Sequence, residues 1–186
     1  MNETLHLIFK RSSCRDFDPT PLSHEDLKVI AKAGVAAPSG MNAQPWHIGV
    51  ITDADIITEL EVEGLANLKK TDIAGYTRIQ LRGGTLFYHA PVIAVIWVRD
   101  SYKSGAELLD CGIVTQNIAL AAQSLGIASC ICGFANYAFV GERTAELTTK
   151  CRVPEGYRFG MSVLLGRADT AGTAHEPDEE KITFVG

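Results

Sequence analysis

The segment Glu107–Leu125 sets the strongest limit on the fold, because its helical pattern is apolar on almost every face. Ile113, Val114, Ile118, Ala119, Leu120, Ala121, Ala122 and Leu125 leave no broad polar stripe, and Gly126 closes the helix. A helix of this kind must be covered on more than one side, so it is expected at the centre of the molecule. Ahead of it, Ala90–Arg99 holds the most apolar run of the chain, rich in β-branched residues. That run is about half of what a membrane-spanning helix needs and reads as a buried strand. A length of 186 residues accommodates one domain with a substantial core, 1–186, and is short for two.

The remaining elements are arranged around this pair. Leu5, Ile8 and Phe9 give Asn2–Phe9 a short amphipathic helix with Asn2 as cap. After the break at Asp18-Pro19-Thr20-Pro21, Ser23 and Asp26 form a capping pair for a helix through Ala37. Trp46–Thr52 reads as a strand, and Asp53 caps a helix toward Lys70. Thr71–Tyr88 fits neither period. Ile127–Phe134 is read as extended, Glu142–Lys150 as a surface helix and Arg158–Gly166 as a last core strand. The tail Ala168–Glu180 is polar, yet Ile182–Val185 regains β character, as a segment with somewhere to dock would.

Charge and cysteine usage narrow the partners. With 17 Lys+Arg against 22 Asp+Glu the formal charge is -5, so the chain lacks the basic field expected for nucleic acid or an anionic membrane. Any anion must be held locally. No export signal is visible, and an odd count of 5 cysteines fits reduced thiols in a cytoplasm.

Two loops carry the chemistry. Arg11-Ser12-Ser13-Cys14-Arg15 alternates guanidinium and hydroxyl groups beyond a short helix, a composition that can grip a phosphate ester through charge-assisted hydrogen bonds. The same residues also suit a solvated turn. Pro38-Ser39-Gly40-Met41-Asn42-Ala43-Gln44-Pro45-Trp46 sets amides and a hydroxyl between two prolines, so a planar heterocycle could be read by fixed donors and acceptors. The alternative is an amide-rich helix-to-strand turn closed by a packed Trp. Cys130-x-Cys132 could be a metal or redox pair, but zinc wants about four ligands and no second Cys/His pair has suitable spacing, so no metal is expected.

In this order, separated by a helix, the two loops resemble those of the FMN-dependent nitroreductase family. Arg11, Ser13, Arg15 and Phe17 match its opening loop; Pro38, Ser39, Asn42, Gln44, Pro45 and Trp46 match its second. The Ala90–Val98 strand, the Asp110–Gly126 helix and Cys130–Phe134 continue the match. The resemblance implies an α+β, nitroreductase-like fold: a central, mostly antiparallel sheet flanked by helices, with the C-terminal strand exchanged in a homodimer. FMN would lie at the subunit interface. Arg11 and Ser13, with Ser12, would hold its phosphate and ribityl chain, and Arg15 would approach N1 and O2 of the ring. Pro38, Ser39 and Asn42 would come from the other subunit, and Gln44 would also bind the cofactor. Cys130, Ile131, Cys132 and Gly133 would place main chain against the flavin edge, the Cys132 N–H meeting N5. Of the tail's basic groups, Arg167, His175 and Lys181, His175 is taken to complete the phosphate site, an exposed loop histidine being its alternative. His47, Trp97 and Tyr88 are taken as structural.

The implied activity is ping-pong: NADH or NADPH reduces the flavin and leaves, and a nitroaromatic or quinone takes its place. The protein need supply no dedicated acid or base. One alternative is a flavin binder or redox sensor without turnover. Another is dehalogenase-like or flavin-cleaving chemistry beneath a long lid, for which only Glu61–Gly84 leaves room.

Overall fold

The structure, a computed structural model, describes residues 1–170 and 172–186. Ala171, within the polar tail read from the sequence, lies outside them. Five strands form one antiparallel sheet: β1 (Phe17–Asp18), β2 (Trp46–Ile51), β3 (Val92–Arg99), β4 (Ala128–Ile131) and β5 (Tyr157–Ala168). Their path is β1-β5-β3-β2, with β4 paired to β5. Six α-helices flank the sheet: α1 (Glu3–Lys10), α2 (His24–Val35), α3 (Ala54–Thr71), α4 (Ile73–Gln80), α5 (Glu107–Ser124) and α6 (Thr144–Lys150). The caps are as the sequence led one to expect: Asn2, Ser23 and Asp53 each accept a backbone N–H of the helix they start. Ser23 and Asp26 also bond reciprocally, Ser23 Oγ donating to Asp26 Oδ2 at 2.7 Å.

β3 is buried from Val92 to Val98, because helices cover both faces of the sheet. Its alternation divides the core. Ile93, Val95 and Trp97 pack with Leu60, Leu68 and Phe87 beneath α3, whereas Val92, Ala94, Ile96 and Val98 pack with Leu27, Val114 and Ile118 beneath α2 and α5. α2 and α5 meet so closely at Gly34 that a Cβ there would lie 2.8 Å from Ile48 Cδ1 and 2.9 Å from Ile118 Cγ1. Only glycine admits that crossing.

One expectation needs correction. α5 covers the sheet with Val114, Ile118 and Ala122, but it is not enclosed along its whole length: in its first turn Leu108 and Leu109 are 69% and 66% exposed. The helix flanks the sheet and does not lie at the centre of the chain. Ile182–Val185 forms no strand within the chain, and Phe184 is 93% exposed. The N–H and C=O groups of such a segment need a sheet edge to bond, and none of this chain's edges takes it. The unclear stretch 71–88 resolves into α4 and a turn, with Tyr88 and His89 both in the left-handed region at φ 51° and 61°. Extended structure after Ile127 ends at Ile131, and Gly133–Phe139 is 3-10 helix. Among the described residues no helix is long and apolar enough to cross a membrane.

Candidate functional site

Arg11–Arg15 leaves α1 and is tied to β4: Cys14 N donates to Ser129 O at 2.9 Å, and Ser13 pairs with Ser129 as an isolated parallel bridge. The C-terminal tail crosses back over this loop. Ser12 Oγ donates to Gly172 O at 3.0 Å, Thr170 Oγ1 to Asp16 Oδ2 at 2.8 Å, and Asp169 N to Asp16 O at 3.0 Å. A cleft of about 440 Å³ opens between loop and tail, lined by Arg11, Ser12, Ser13, Arg15, Asp16, Thr170, Gly172, Thr173 and His175. The approach is tight, since a Cβ at Gly172 would lie 2.8 Å from Ser13 O. Of the tail's three basic groups, His175 is the one in the cleft; Lys181 instead pairs with Asp178 at 3.2 Å. Arg11 Nη1 is shielded from solvent and has no hydrogen-bond partner among the described residues. A buried guanidinium N–H without an acceptor is costly, and an anion in this cleft would supply one.

Arg15 also lines a second cleft, of about 320 Å³, together with Arg82, Tyr88, Tyr137 and the segment Cys130–Phe134. The two clefts meet at that guanidinium, one polar and the other walled by aromatic rings and main chain. Phe134 and Tyr137 are stacked, with centroids 6.1 Å apart and planes at 25°.

Strand parity revises the expectation for Cys132. Its N–H donates to Ser162 O at 2.9 Å, inside the sheet, and Ser162 Oγ donates to its carbonyl at 2.6 Å. Ser129, by contrast, turns its carbonyl to Cys14 on the opposite edge. Alternation then directs the N–H groups of Ile131 and Gly133 to that same open edge. The main-chain donor available to a ring in the second cleft therefore belongs to Gly133 or Ile131, not to Cys132. Burial raises the Cys130 thiol above its ordinary range and pushes Cys132 up to about 11, so both stay protonated at neutral pH and are poor nucleophiles.

Pro38, Ser39, Asn42 and Gln44 line neither cleft. Their loop lies at the N-terminal end of α5, whereas Ser129, to which the Arg11 loop is tied, follows its C-terminal end. The 18-residue helix between them is about 27 Å long. The loop is held in an uncommon conformation: Met41, Asn42 and Gln44 have φ of 51°, 54° and 42°. Such backbone persists only when its surroundings fix it, and it clusters at functional sites. Gln44 N donates to Ser39 Oγ at 2.9 Å, Gln44 Nε2 to Asn42 Oδ1 at 2.9 Å, and Arg99 Nη2 to Ala43 O at 3.2 Å.

Asp110, which the sequence did not single out as a site residue, anchors this loop. Although 2% exposed, it accepts from Gly40 N at 3.3 Å and from Tyr102 OH at 2.8 Å. Asp110→Ala leaves both donors without an acceptor and is expected to cost about 1–3 kcal/mol, measured as a lowered denaturant midpoint. Tyr102→Phe, losing only the hydroxyl, should cost less. Tyr88 and Arg82 were also missed as site residues, because they lie in the one stretch without periodicity; Tyr88 is a cleft residue and not simply structural.

Known proteins match this arrangement closely. A crystal structure of a nitroreductase with bound FMN from Desulfitobacterium hafniense superposes with a TM-score of 0.95 at 49% identity, covering 100% of both chains. A second FMN-bound nitroreductase structure, from Bacteroides fragilis, gives 0.88 at 28% identity, again over 100% of both chains. The oxygen-insensitive NADPH nitroreductase of Helicobacter pylori is 26% identical over 204 residues, 96% of this chain and 95% of that protein. The Nitroreductase family model matches residues 8–167 and so takes in both loops, α5 and the five strands up to the last residue of β5. With motifs, sheet topology and this match in agreement, the chain belongs to the nitroreductase family.

Proposed function

We propose that the protein is an FMN-dependent oxidoreductase, active as a homodimer, that uses NADH or NADPH to reduce nitroaromatic or quinone-like acceptors by a ping-pong cycle. The observation that carries this reading is the pair of clefts meeting at Arg15, one fitted to a phosphate and the other to a flat ring. Bound FMN would accept hydride from a reduced nicotinamide and deliver it to the acceptor. Arg11, Ser12, Ser13 and His175 would hold the phosphate and ribityl end. Arg15 would set a permanent positive charge beside the ring and so favour its anionic reduced form. Gly133 or Ile131 would supply the main-chain donor, and Tyr88 the wall. No side chain on this reading need move a proton to or from the acceptor, since solvent can do so.

Packing supports the dimer. Leu108 and Leu109 on α5, with Leu5, Ile8 and Phe9 on α1, are exposed apolar side chains of the kind an interface covers. A two-fold pairing that runs the α5 helices antiparallel brings the N-terminal end of one beside the C-terminal end of the other. Each Pro38–Gln44 loop then meets the partner's Arg11 cleft. β2 has no strand on its outer edge among the described residues, so it could receive the partner's Ile182–Val185. α3 and α4 occupy the span Glu61–Gly84 and are anchored in the core by Leu68 and Ile79, which favours open-cleft chemistry over a closing lid. Five free cysteines, four of them buried, fit a reducing cytoplasm.

The test is a visible spectrum after reconstitution with FMN, followed by oxidation of NADH and NADPH with a nitroaromatic and with a quinone. A flavin band with turnover is expected. No flavin band would sink the assignment, and a yellow protein inert with either donor would make it a binder. Leu109→Glu is expected to give a monomer by sedimentation that retains little FMN; a monomer binding FMN normally would remove the second subunit from the site.

A further inference from the structure

A third cavity, of about 500 Å³, lies behind the wall of the second cleft and shares no lining residue with either cleft. It is bounded by α3, by the Pro19–Leu22 turn and by the segment Gly84–Val92. Tyr88 faces the cleft, while its neighbours Phe87 and His89 line the cavity. Pro21, Leu22, Ile57, Leu65 and Phe87 make the walls apolar, and one carboxylate, Glu61, stands among them.

Glu61 is already oriented. Its Oε1 accepts from Leu86 N at 2.5 Å and its Oε2 from Phe87 N at 3.2 Å, which fixes the carboxylate and leaves further lone pairs for a donor. It takes part in none of the ion pairs among the described residues, and His89 is the one basic side chain on the cavity wall. Burial raises the Glu61 carboxyl above its ordinary range, as expected of a half-buried charge without a counter-ion. The size is that of a pocket for a small organic molecule, and an apolar wall with one fixed polar group is the usual make-up of such a site.

We infer that this cavity is a second small-molecule site, distinct from the flavin cleft, for an apolar organic cation: an amine carrying about one ring, with its ammonium on Glu61 and its hydrocarbon against Ile57, Leu65 and Phe87. The charge on Glu61 selects a cation over a neutral or anionic molecule of the same shape.

The experiment is a ligand-observed NMR titration of the full-length, FMN-reconstituted protein with phenethylamine, 2-phenylethanol and phenylacetate. Phenethylamine is expected to bind saturably, at least tenfold more tightly than the alcohol, with phenylacetate unbound. Glu61→Gln, which removes the charge and keeps one acceptor oxygen for the Leu86 amide while giving up the longer bond from Phe87 N, should bring amine and alcohol within twofold. Thr58→Trp, at the exposed rim, should abolish binding and leave the flavin spectrum unchanged. Absence of saturable amine binding overturns the site, as does equal affinity for amine and alcohol or indifference to Thr58→Trp. Binding gained only after removal of residues 182–186 also overturns it, by giving the cavity to the tail of a second copy. Should FMN reconstitution fail, the flavin assignment falls, and the same titration on the flavin-free chain still decides the cavity.

Discussion

Arg11→Ala is expected to weaken FMN binding by about 1.5–3 kcal/mol, roughly ten- to a hundred-and-fifty-fold in Kd, the worth of a hydrogen bond to a charged group. Arg11 is chosen over Ser12 and Ser13 because its Nη1 is buried without a partner among the described residues. Ser12, by comparison, already donates to Gly172 O and loses that bond if it turns to a ligand. The unpartnered nitrogen also makes the prediction two-sided. A residue that only supports the fold would lower the stability of the apoprotein when truncated, whereas Arg11→Ala should leave the apoprotein melting temperature unchanged or raise it. Fluorescence titration with FMN and thermal melts without it measure the two effects. Unchanged affinity would move the phosphate elsewhere, and a melting temperature that falls in step with affinity would make Arg11 a structural residue.

Trp97→Ala should produce the largest loss of stability of any change considered, about 3–5 kcal/mol, by opening a cavity in the core. The ring is 1% exposed and sits edge-on to Phe139, centroids 4.8 Å apart at 79°, and to Phe159 at 6.2 Å and 87°. For a domain of this size each kcal/mol moves the melting temperature by about 2–4 °C, so a drop of order 10 °C is expected. Trp97→Phe separates packing from polarity. The indole Nε1 is buried with no partner, pressed against Gly49, where a Cβ would lie 2.9 Å away. Replacing indole by phenyl removes that unsatisfied N–H, so Trp97→Phe should cost less than half as much as Trp97→Ala. Equal losses would mean that the indole nitrogen contributes something the packing does not show.

The two variants probe different parts of one arrangement. Trp97 lies on β3, in the core that supports the wall of the second cleft, while Arg11 lies on a loop tied to the sheet through Cys14 and Ser129. Additivity is expected when both are changed, because they share no partner.

Periodicity and caps were enough to locate most of the elements. The alternation of β3, the capping pair Ser23–Asp26 and the Asp53 cap are local, written in the few residues that form them, and they reappear in the fold within a residue or two. The two polar loops were legible for a similar reason: their residue types and order carry the family resemblance without reference to distance. Arg11–Arg15 and His175 are far apart in sequence, and their meeting at one cleft depends on the path of the tail after β5.

What the sequence alone determined is therefore a set of local preferences, together with a family likeness strong enough to indicate fold and cofactor. Tertiary structure decided the rest, because those facts depend on pairing between distant segments. Sheet parity, set by the register of β4 on β5, turned the Cys132 N–H inward and left Gly133 and Ile131 at the open edge. The path from α4 to β3 put Tyr88 and Arg82 in the cleft. Burial by the surrounding chain made Asp110 the anchor of the Pro38–Gln44 loop. The all-round apolarity of α5, from which the sequence reading began, remained correct as chemistry but changed in meaning: Val114, Ile118 and Ala122 cover the sheet, whereas Leu108 and Leu109 in the first turn are exposed, a difference set by which neighbours the fold brings to each side.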